Sequence, residues 1–303
     1  MKNISIILIN YNTAKFTLDC ISSIFEKTAK SIVFEIIVVD NNSKDEDFEI
    51  LCEGLKKRPE VVLHSSPINT GFGGGNMLGV HHAKGQYLLF INNDVILKND
   101  VLSVAYNFME SHTNVGVCTA QNFDEHNTFV ASFDHDKGLR KLIFGRSFLE
   151  TVNPAKYPKR KKQHQTPQHV NFVNGAFMFF RKDYFLEVEG FDPNIFLYFE
   201  EMDICYRIRK NGYKCVLLPQ AEIIHFQGAS TGKSKALEKE GFISYLYVLK
   251  KNYSTLKYTA IVLYLTLTFL IKPKKWDLLP IAIKGGDLAS SLKNKQIKRN
   301  PVR

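Results

Sequence analysis

The feature that most limits what this chain can fold into is a regular alternation over residues 4–119. Apolar, largely β-branched runs at Ile4–Ile9, Phe34–Val39, Val61–Leu63, Tyr87–Ile91 and Val115–Thr119 are separated by stretches with helical spacing. Runs of this kind, apolar on both sides, are strands covered on both faces. Thr13 is positioned to cap a first helix whose apolar face holds Phe16, Leu18, Ile21, Ile24 and Phe25. Further helices are expected up to Leu55, near Asn76–Ala83 after a glycine-rich turn, and over Asp100–Ser111. The pattern predicts an α/β fold with a central, mostly parallel sheet flanked by helices.

The middle is less regular. Residues 153–168, rich in Lys, Gln and Pro, read as a mobile loop. Order returns at Val170–Arg181, and Gly190-Phe191-Asp192-Pro193 marks a turn. Glu200–Lys210 reads as a helix ended by Asn211-Gly212. Lys214–Leu218 and Glu222–Phe226 read as two strands split by Pro219. From Phe242 the pattern turns helical and aromatic, then apolar, then basic.

Composition narrows the function classes. A 303-residue chain that is 45% hydrophobic and 23% charged is globular, neither fibrous nor disordered. The longest nearly uncharged apolar run, Tyr258 to Ile271, is shorter than the ~18–20 residues of a spanning helix, which excludes a multi-span membrane protein. The net charge of +10 suits an anionic partner. Its excess sits in Lys159-Arg160-Lys161-Lys162 and in the tail from Lys272 to Arg303, without the interleaved aromatics of a nucleic-acid binder. Cys20, Cys52, Cys118, Cys205 and Cys215 form no CxxC pair, which argues against a disulfide framework or a zinc site and for a reducing compartment. Ile4–Ile9 is too short for a signal-peptide core, so a cytoplasmic location is expected.

Ligands of open parallel sheets bind at the carboxyl ends of the strands. Here those ends carry Asn10-Tyr11-Asn12, Asp40-Asn41-Asn42-Ser43, the segment from Asn69 through Gly71, Phe72 and Asn76, and Asn92-Asn93-Asp94. Each alone is ordinary turn chemistry; four on one rim form a site. The turn after the first strand has no glycine, which argues against a dinucleotide fingerprint. Gly228 to Ser234 resembles a phosphate-binding P-loop but has Gln227 where the loop requires glycine.

Five acidic or basic residues carry chemistry. Asp94, directly after a buried strand, can hold Mg²⁺ or Mn²⁺, although a carboxylate there equally caps a turn. His225 closes the last strand; a lone strand-end histidine is more often structural, yet imidazole is also an Mn²⁺ ligand. Glu200, Glu201 and Asp203 open a helix, where acidic residues already favour the helix dipole. They follow Phe196-Leu197-Tyr198-Phe199, and desolvation by such a run makes a carboxylate a better base.

In this order, Ile7 to Asn12, Val38 to Ser43, Asn69 to Asn76, Phe90 to Asp94, Asn174-Gly175-Ala176, Gly190-Phe191-Asp192, Phe199 to Asp203 and His225 to Ser230 resemble inverting family 2 glycosyltransferases of the GT-A fold, close to the rhamnosyltransferase-like branch. The resemblance covers residues 4–232. A catalytic domain is expected over 1–241, and the residue pattern makes 242–303 a helical, apolar and basic extension. The resemblance implies that Tyr11 and Asp40 bind the nucleoside, that Asn69, Gly71 and Asn76 lie along the nucleotide-sugar, and that Asn92-Asn93-Asp94 stands for the D-x-D motif. Asp94 and His225 would hold Mn²⁺ or Mg²⁺, Glu201 would be the base, and Asp203 would help hold the acceptor. Two departures are visible: the D-x-D segment lacks its first Asp, and the base position carries Glu rather than Asp.

The implied reaction moves a sugar from a nucleoside-diphosphate sugar to a hydroxyl of a glycan acceptor in bacterial surface polysaccharide synthesis. The branch suggests dTDP-rhamnose, while closely similar rims take UDP- and GDP-sugars. The other reading is a non-catalytic nucleotide- or glycan-binding protein that retains the fold; the joint presence of Asp94, Glu201 and His225 favours the enzyme. The tail, with its aromatics, apolar run, Trp276 and lysines, reads either as helices packed on the domain or as an in-plane contact with an anionic membrane. The second case implies a protein peripheral to the cytoplasmic face of the inner membrane, working on a lipid-linked acceptor.

Overall fold

A computed structural model of the chain describes residues 3–226 and 234–298. The elements β1 (Ile4–Asn10), α1 (Ala14–Lys27), β2 (Phe34–Asp40), α2 (Asp45–Leu55), β3 (Val61–Ser65), α3 (Gly71–Val80) and β4 (Tyr87–Ile91) follow the alternation of the sequence. Their strands pair in parallel in the order β3-β2-β1-β4, so all four carboxyl ends share one edge. β1 shows why its run is apolar throughout. Ile4, Ile6 and Leu8 enter one core layer with Ile21 and Ile24 of α1. Ile7 enters the opposite layer with Phe90, Phe191 and Met202.

β5 (Val95–Leu97), α4 (Val101–Ser111) and β6 (Val115–Phe123) come next. Asp100 caps α4 by accepting from the Ser103 amide at 3.2 Å. The short strands β7 (Phe129–Val130) and β8 (Phe133–Asp134) lead to α5 (Leu139–Phe144) and α6 (Arg146–Val152). β9 (Gln168–His169), β10 (Phe172–Val173), β11 (Phe177–Arg181), α7 (Lys182–Glu187), α8 (Glu200–Lys210) and β12 (Lys214–His225) complete this part. The sheet continues β4-β11-β6-β12-β5, with β11 antiparallel to both of its neighbours. The sheet is thus parallel through β3-β2-β1-β4 and mixed beyond it.

The structure departs from the sequence reading in four places. The glycine run is not a turn before a helix at Asn76; it is the first turns of α3 itself. Glycine is a poor helix former, by about 1 kcal/mol per residue. Here, however, the helix lies so close to its surroundings that a Cβ on Gly71 would sit 1.9 Å from the Phe196 carbonyl oxygen. The strands on either side of Pro219 are one strand, with a register shift between Leu218 and Glu222 that absorbs the missing N–H. Residues 153–167 are tied down: Arg160 Nε donates to the Phe133 carbonyl at 2.8 Å and the His164 amide to Gln121 Oε1 at 3.0 Å. Thr13 stands at the N-cap of α1 without capping it; Asp47 Oδ1 takes the Ala14 amide instead, at 2.9 Å.

The C-terminal part begins with α9 (Lys235–Asn252), capped by Ser234, and α10 (Thr255–Leu270), with α11 (Leu279–Ile283) beyond. A boundary at 241/242 falls inside α9, and Phe242, Leu246 and Leu249 of that helix join the same core layer as α8. Among the described residues no helix is long and apolar enough to cross a membrane. Residues 227–233 lie outside the described residues, with the end of the His225-to-Ser230 motif and nearly all of the P-loop-like stretch. Arg299 and Arg303 do too.

Gly71 and Gly145 separate strain from crowding. Both have left-handed backbones, with φ of 76° and 74°, but a Cβ on Gly145 would meet nothing within 4 Å. Gly145→Ala is expected to cost about 1–3 kcal/mol from its backbone conformation alone, φ 74° and ψ 165°. Gly71→Ala adds about 1–3 kcal/mol of overpacking. Urea unfolding of the two variants checks this; equal losses would contradict the packing described for α3.

Candidate functional site

The shared edge opens into a cavity of about 620 Å³. Tyr11, Thr13, Asn41, Asn69, Gly71 and Phe72 line one part of its wall. Asn92, Asn93, Asp94 and His225 line another, with Asn174 to Ala176, Tyr198, Glu200 and Glu201 nearby. Ten of the residues named from sequence therefore meet: Tyr11, Asn69, Gly71, Phe72, Asn92, Asn93, Asp94, Glu200, Glu201 and His225.

Asn10, Asn12, Asp40, Asn42, Asn76 and Asp203 do not line the cavity; they brace it. Fully buried Asn10 donates to Asp40 Oδ1 and Asp47 Oδ2, both at 2.9 Å, and accepts from Thr17 Oγ1 at 2.8 Å. Asp40 Oδ2 takes the Ser43 amide at 3.1 Å. This ties the loops after β1 and β2 to each other. Asn12 Oδ1 accepts the Lys44 amide, Asn42 donates to the Ile297 carbonyl, and Asn76 donates back to the Phe72 carbonyl. Asp203 is fully buried and holds Arg207, Lys251 and Asn252 at 2.6–3.1 Å, locking α8 to α9.

Asn41 is a rim residue to which the sequence alone assigned no role. Its Oδ1 accepts from the Thr70 amide and hydroxyl, and its Nδ2 donates to Asn69 Oδ1 and the Gly71 carbonyl, all at 3.0 Å. It sits between Asp40 and Asn42, and composition does not distinguish the three. Leu237, Leu292 and Gln296 also line the cavity, from parts of the chain with no local signal.

Asp94 and His225 are brought together by the antiparallel pairing of β12 with β5, which sets His225 opposite Val95. His225 Nε2 lies 3.3 Å from Asp94 Oδ1. That oxygen is buried and accepts no hydrogen bond. Asn92 Nδ2 is 3.4 Å from the same ring nitrogen, and Asn93 is held by Thr13 and Thr17 at 2.6 and 2.9 Å. A buried, unpartnered carboxylate oxygen facing an imidazole nitrogen is a donor set that fits a hard divalent ion. Among the described residues, no group of three or more His, Cys, Asp or Glu side chains gathers at a metal-binding spacing. Two side chains would leave positions open for a substrate's oxygens.

The acidic pair sits where α8 begins, behind Tyr198 and Phe199, which both have φ of 70°. Consecutive left-handed, non-glycine residues are strained, and such strain clusters at functional sites. Burial pushes the Glu200 carboxyl well above the usual range, with the charge of Glu201 adding to the shift. Its Oε1 has no partner. Burial also raises Glu201, while the Lys137 charge pulls it back. Glu201 is half-buried. The two carboxyls thus differ: Glu200 is sealed and shifted well upward by burial, while Glu201 is half-buried and its upward shift is countered by Lys137.

The family model described as Glycosyl transferase family 2 matches residues 5–188. The rhamnosyltransferase WbbL of Escherichia coli K12 is 30% identical over 205 residues, 61% of this chain and 75% of that protein. The N-acetylglucosaminyl-diphospho-decaprenol L-rhamnosyltransferase of Mycobacterium tuberculosis is 31% identical over 78 residues, 26% of this chain and 25% of that protein. Other curated relatives are matched over less of their length, such as 17% of the Bacillus spizizenii poly(ribitol-phosphate) beta-glucosyltransferase. Among solved structures, GalNAc-T7 with UDP, GalNAc and Mn²⁺ superposes with a TM-score of 0.63 at 15% identity, covering 94% of this chain and 56% of that one. S. aureus TarS 1-349 gives 0.57 at 15% identity over 94% and 79%. The fold, the shared rim and the extent of the match agree: the chain belongs to glycosyl transferase family 2.

Proposed function

We propose that the chain is a metal-dependent, inverting glycosyltransferase that moves a sugar from a nucleoside-diphosphate sugar to a hydroxyl of a growing bacterial surface glycan. The observation that carries this reading is the unpartnered Asp94 oxygen facing His225 in the same cavity as Glu201. A divalent ion held by Asp94 and His225 would neutralise charge on the leaving diphosphate. Tyr11, Asn41 and Asn69 bind the nucleotide portion, with Asn10 and Asp40 fixing their loops. Glu201 takes the proton of the acceptor hydroxyl as that oxygen attacks the anomeric carbon. Glu200 stays protonated beside it, and Asp203 positions the helix that carries both. The names of the Escherichia coli and Mycobacterium tuberculosis relatives favour a rhamnose donor, with dTDP-rhamnose first among nucleotide-sugars to test.

The acceptor is proposed to be lipid-linked, with the protein peripheral to the cytoplasmic face of an inner membrane. α10 carries no charge from Tyr258 to Leu270 and buries Ile261, Leu265 and Phe269, yet Leu256, Leu263, Leu267 and Leu270 on its other side are exposed. A helix with leucines on its exposed side as well as apolar residues on its packed side suits a core on one side and lipid on the other. Trp276 donates to the Leu270 carbonyl and extends this face. α5 and α6 add the stacked, more than half exposed Phe144 and Phe148, and Tyr264 of α10 bonds the Leu142 carbonyl of α5. Lys272, Lys274 and Lys275 flank the patch and suit an anionic surface, at about 1 kcal/mol each.

Three outcomes test these roles. Asp94→Ala should abolish transfer and the Mn²⁺ dependence of nucleotide binding while keeping the far-ultraviolet circular dichroism; calorimetry showing unchanged metal dependence would sink the assignment. Glu201→Gln should lower the transfer rate by about 10²-fold or more at unchanged donor affinity. Glu200→Gln should cost less rate and separate in stability. A raised carboxyl favours folding while protonated, and that contribution is lost as pH rises through the folded pKa. The melting temperature of Glu200→Gln relative to the unsubstituted protein should therefore rise from pH 5 to pH 8.5. A flat difference contradicts a neutral Glu200.

For the membrane, flotation with phosphatidylglycerol-rich vesicles should recover the protein at low salt. It should recover about tenfold less of a Phe148→Ser/Leu267→Ser variant, the scale of losing two interfacial apolar anchors. Equal recovery of both proteins, or no preference over neutral vesicles, removes the membrane role.

A further inference from the structure

The wall of the cavity formed by Leu292 and Gln296 comes from the far end of the chain and has no part in the chemistry above. After a tight turn at Gly285 and Gly286, with φ of 65° and 69°, residues 287–298 run back across the molecule as a strap. A Cβ on Gly286 would lie 2.5 Å from Leu246 Cβ, so the turn is seated directly on α9.

One residue fastens the strap. Glu240 of α9 is 1% exposed, and both of its oxygens are used. Oε1 accepts from Ser291 Oγ and Oε2 from the Leu292 amide, each at 2.7 Å. Ser291 Oγ in turn accepts the Lys293 amide at 3.1 Å. A buried carboxylate that takes a backbone amide and a buried hydroxyl is a strong, directional anchor. Two outer contacts set where the strap lies. Lys293 Nζ donates to the Pro193 carbonyl at 2.7 Å, beside the loop that touches Gly71. The Ile297 carbonyl accepts from Asn42 Nδ2 at 3.2 Å, at the loop after β2. The strap therefore reaches the end of the cavity where Tyr11 and Asn41 stand. The Gln296 amide is set by its bond to the Leu292 carbonyl at 2.9 Å.

We propose that residues 287–298 close the nucleoside end of the donor site, with Leu292 packing on the nucleoside, Gln296 reading the polar edge of its base, and Glu240 as the positioning residue that holds both in register. The proposal rests on the donor-site reading above. It assigns base selectivity to the strap, whereas Asp94 and Glu201 act on the diphosphate and the acceptor.

The test is calorimetric binding of UDP, dTDP and GDP with Mn²⁺ to the full chain, together with steady-state transfer kinetics. Leu292→Ala and Gln296→Ala should each weaken the preferred nucleotide about tenfold, the scale of one lost packing or hydrogen-bond contact. Gln296→Ala should also narrow the spread of affinities among the three nucleotides. Glu240→Gln, which can accept only one of the two hydrogen bonds, should raise Kd and KM by a similar factor with kcat within about twofold. Unchanged Kd values in Leu292→Ala and Gln296→Ala, with normal binding by the unsubstituted protein, overturn the strap and leave the donor site standing. A fall in kcat at constant KM in Glu240→Gln overturns the positioning role. Absence of binding of all three nucleotides by the unsubstituted protein overturns the donor-site reading and the strap with it.

Discussion

A carboxyl oxygen taken out of water without a hydrogen bond is unfavourable, and among the described residues one cavity holds two of them, on Asp94 and Glu200. A fold that served only its own stability would pair or expose both. Here the sheet and the last turn before α8 keep them in place. Asp94 follows β4 in a segment whose neighbour Asn93 is pinned by two hydroxyls of the α1 region. Glu200 follows two left-handed residues. The two sit in different surroundings: Asp94 faces the His225 imidazole at 3.3 Å, and burial pushes the Glu200 carboxyl well above the usual range.

Around these groups lies a layer of bonded polar side chains that never meets the cavity. Asn10, Asp40, Ser43, Asp47 and Thr17 form one continuous network beneath the loops after β1 and β2. Its members are satisfied, so it rigidifies the rim instead of weakening it. Asp203 does the same on the far side, where Arg207, Lys251 and Asn252 converge on one carboxylate and fix α8 against α9. Removing such a carboxylate strands the charges around it, so its loss disturbs the site from behind.

Much of this is legible in the amino-acid sequence. Buried parallel strands advertise themselves as uninterrupted apolar runs, and the polar segments that follow them land on one edge by topology alone. That is why Tyr11, Asn69 and Asp94, each named from the polar segment after a strand, line the cavity, and Glu201, named from the acidic start of a helix, joins them. Which residue of a polar triplet faces inward depends on backbone twist at the strand end, and this defeated the choice between Asp40 and Asn41. The glycine run misled because helix propensity competes with a close approach to β1 and to the Phe196 carbonyl, which only the packed structure reveals. Pro219 misled in the same way, since a bulge can absorb it. The wall made by Leu292 and Gln296 lies more than two hundred residues along the chain from Asn42, whose loop it reaches, and no local pattern marks it.

The most direct test of this account is donor turnover by the full chain. A panel of dTDP-, UDP- and GDP-sugars with Mn²⁺ or Mg²⁺, scored for release of the nucleoside diphosphate, asks whether the cavity is a working donor site. The account predicts release from one nucleotide class, strengthened by the metal and abolished by chelation. Tight nucleotide binding with no release from any donor, even with glycan acceptors added, would contradict it and leave a binding protein on a glycosyltransferase fold.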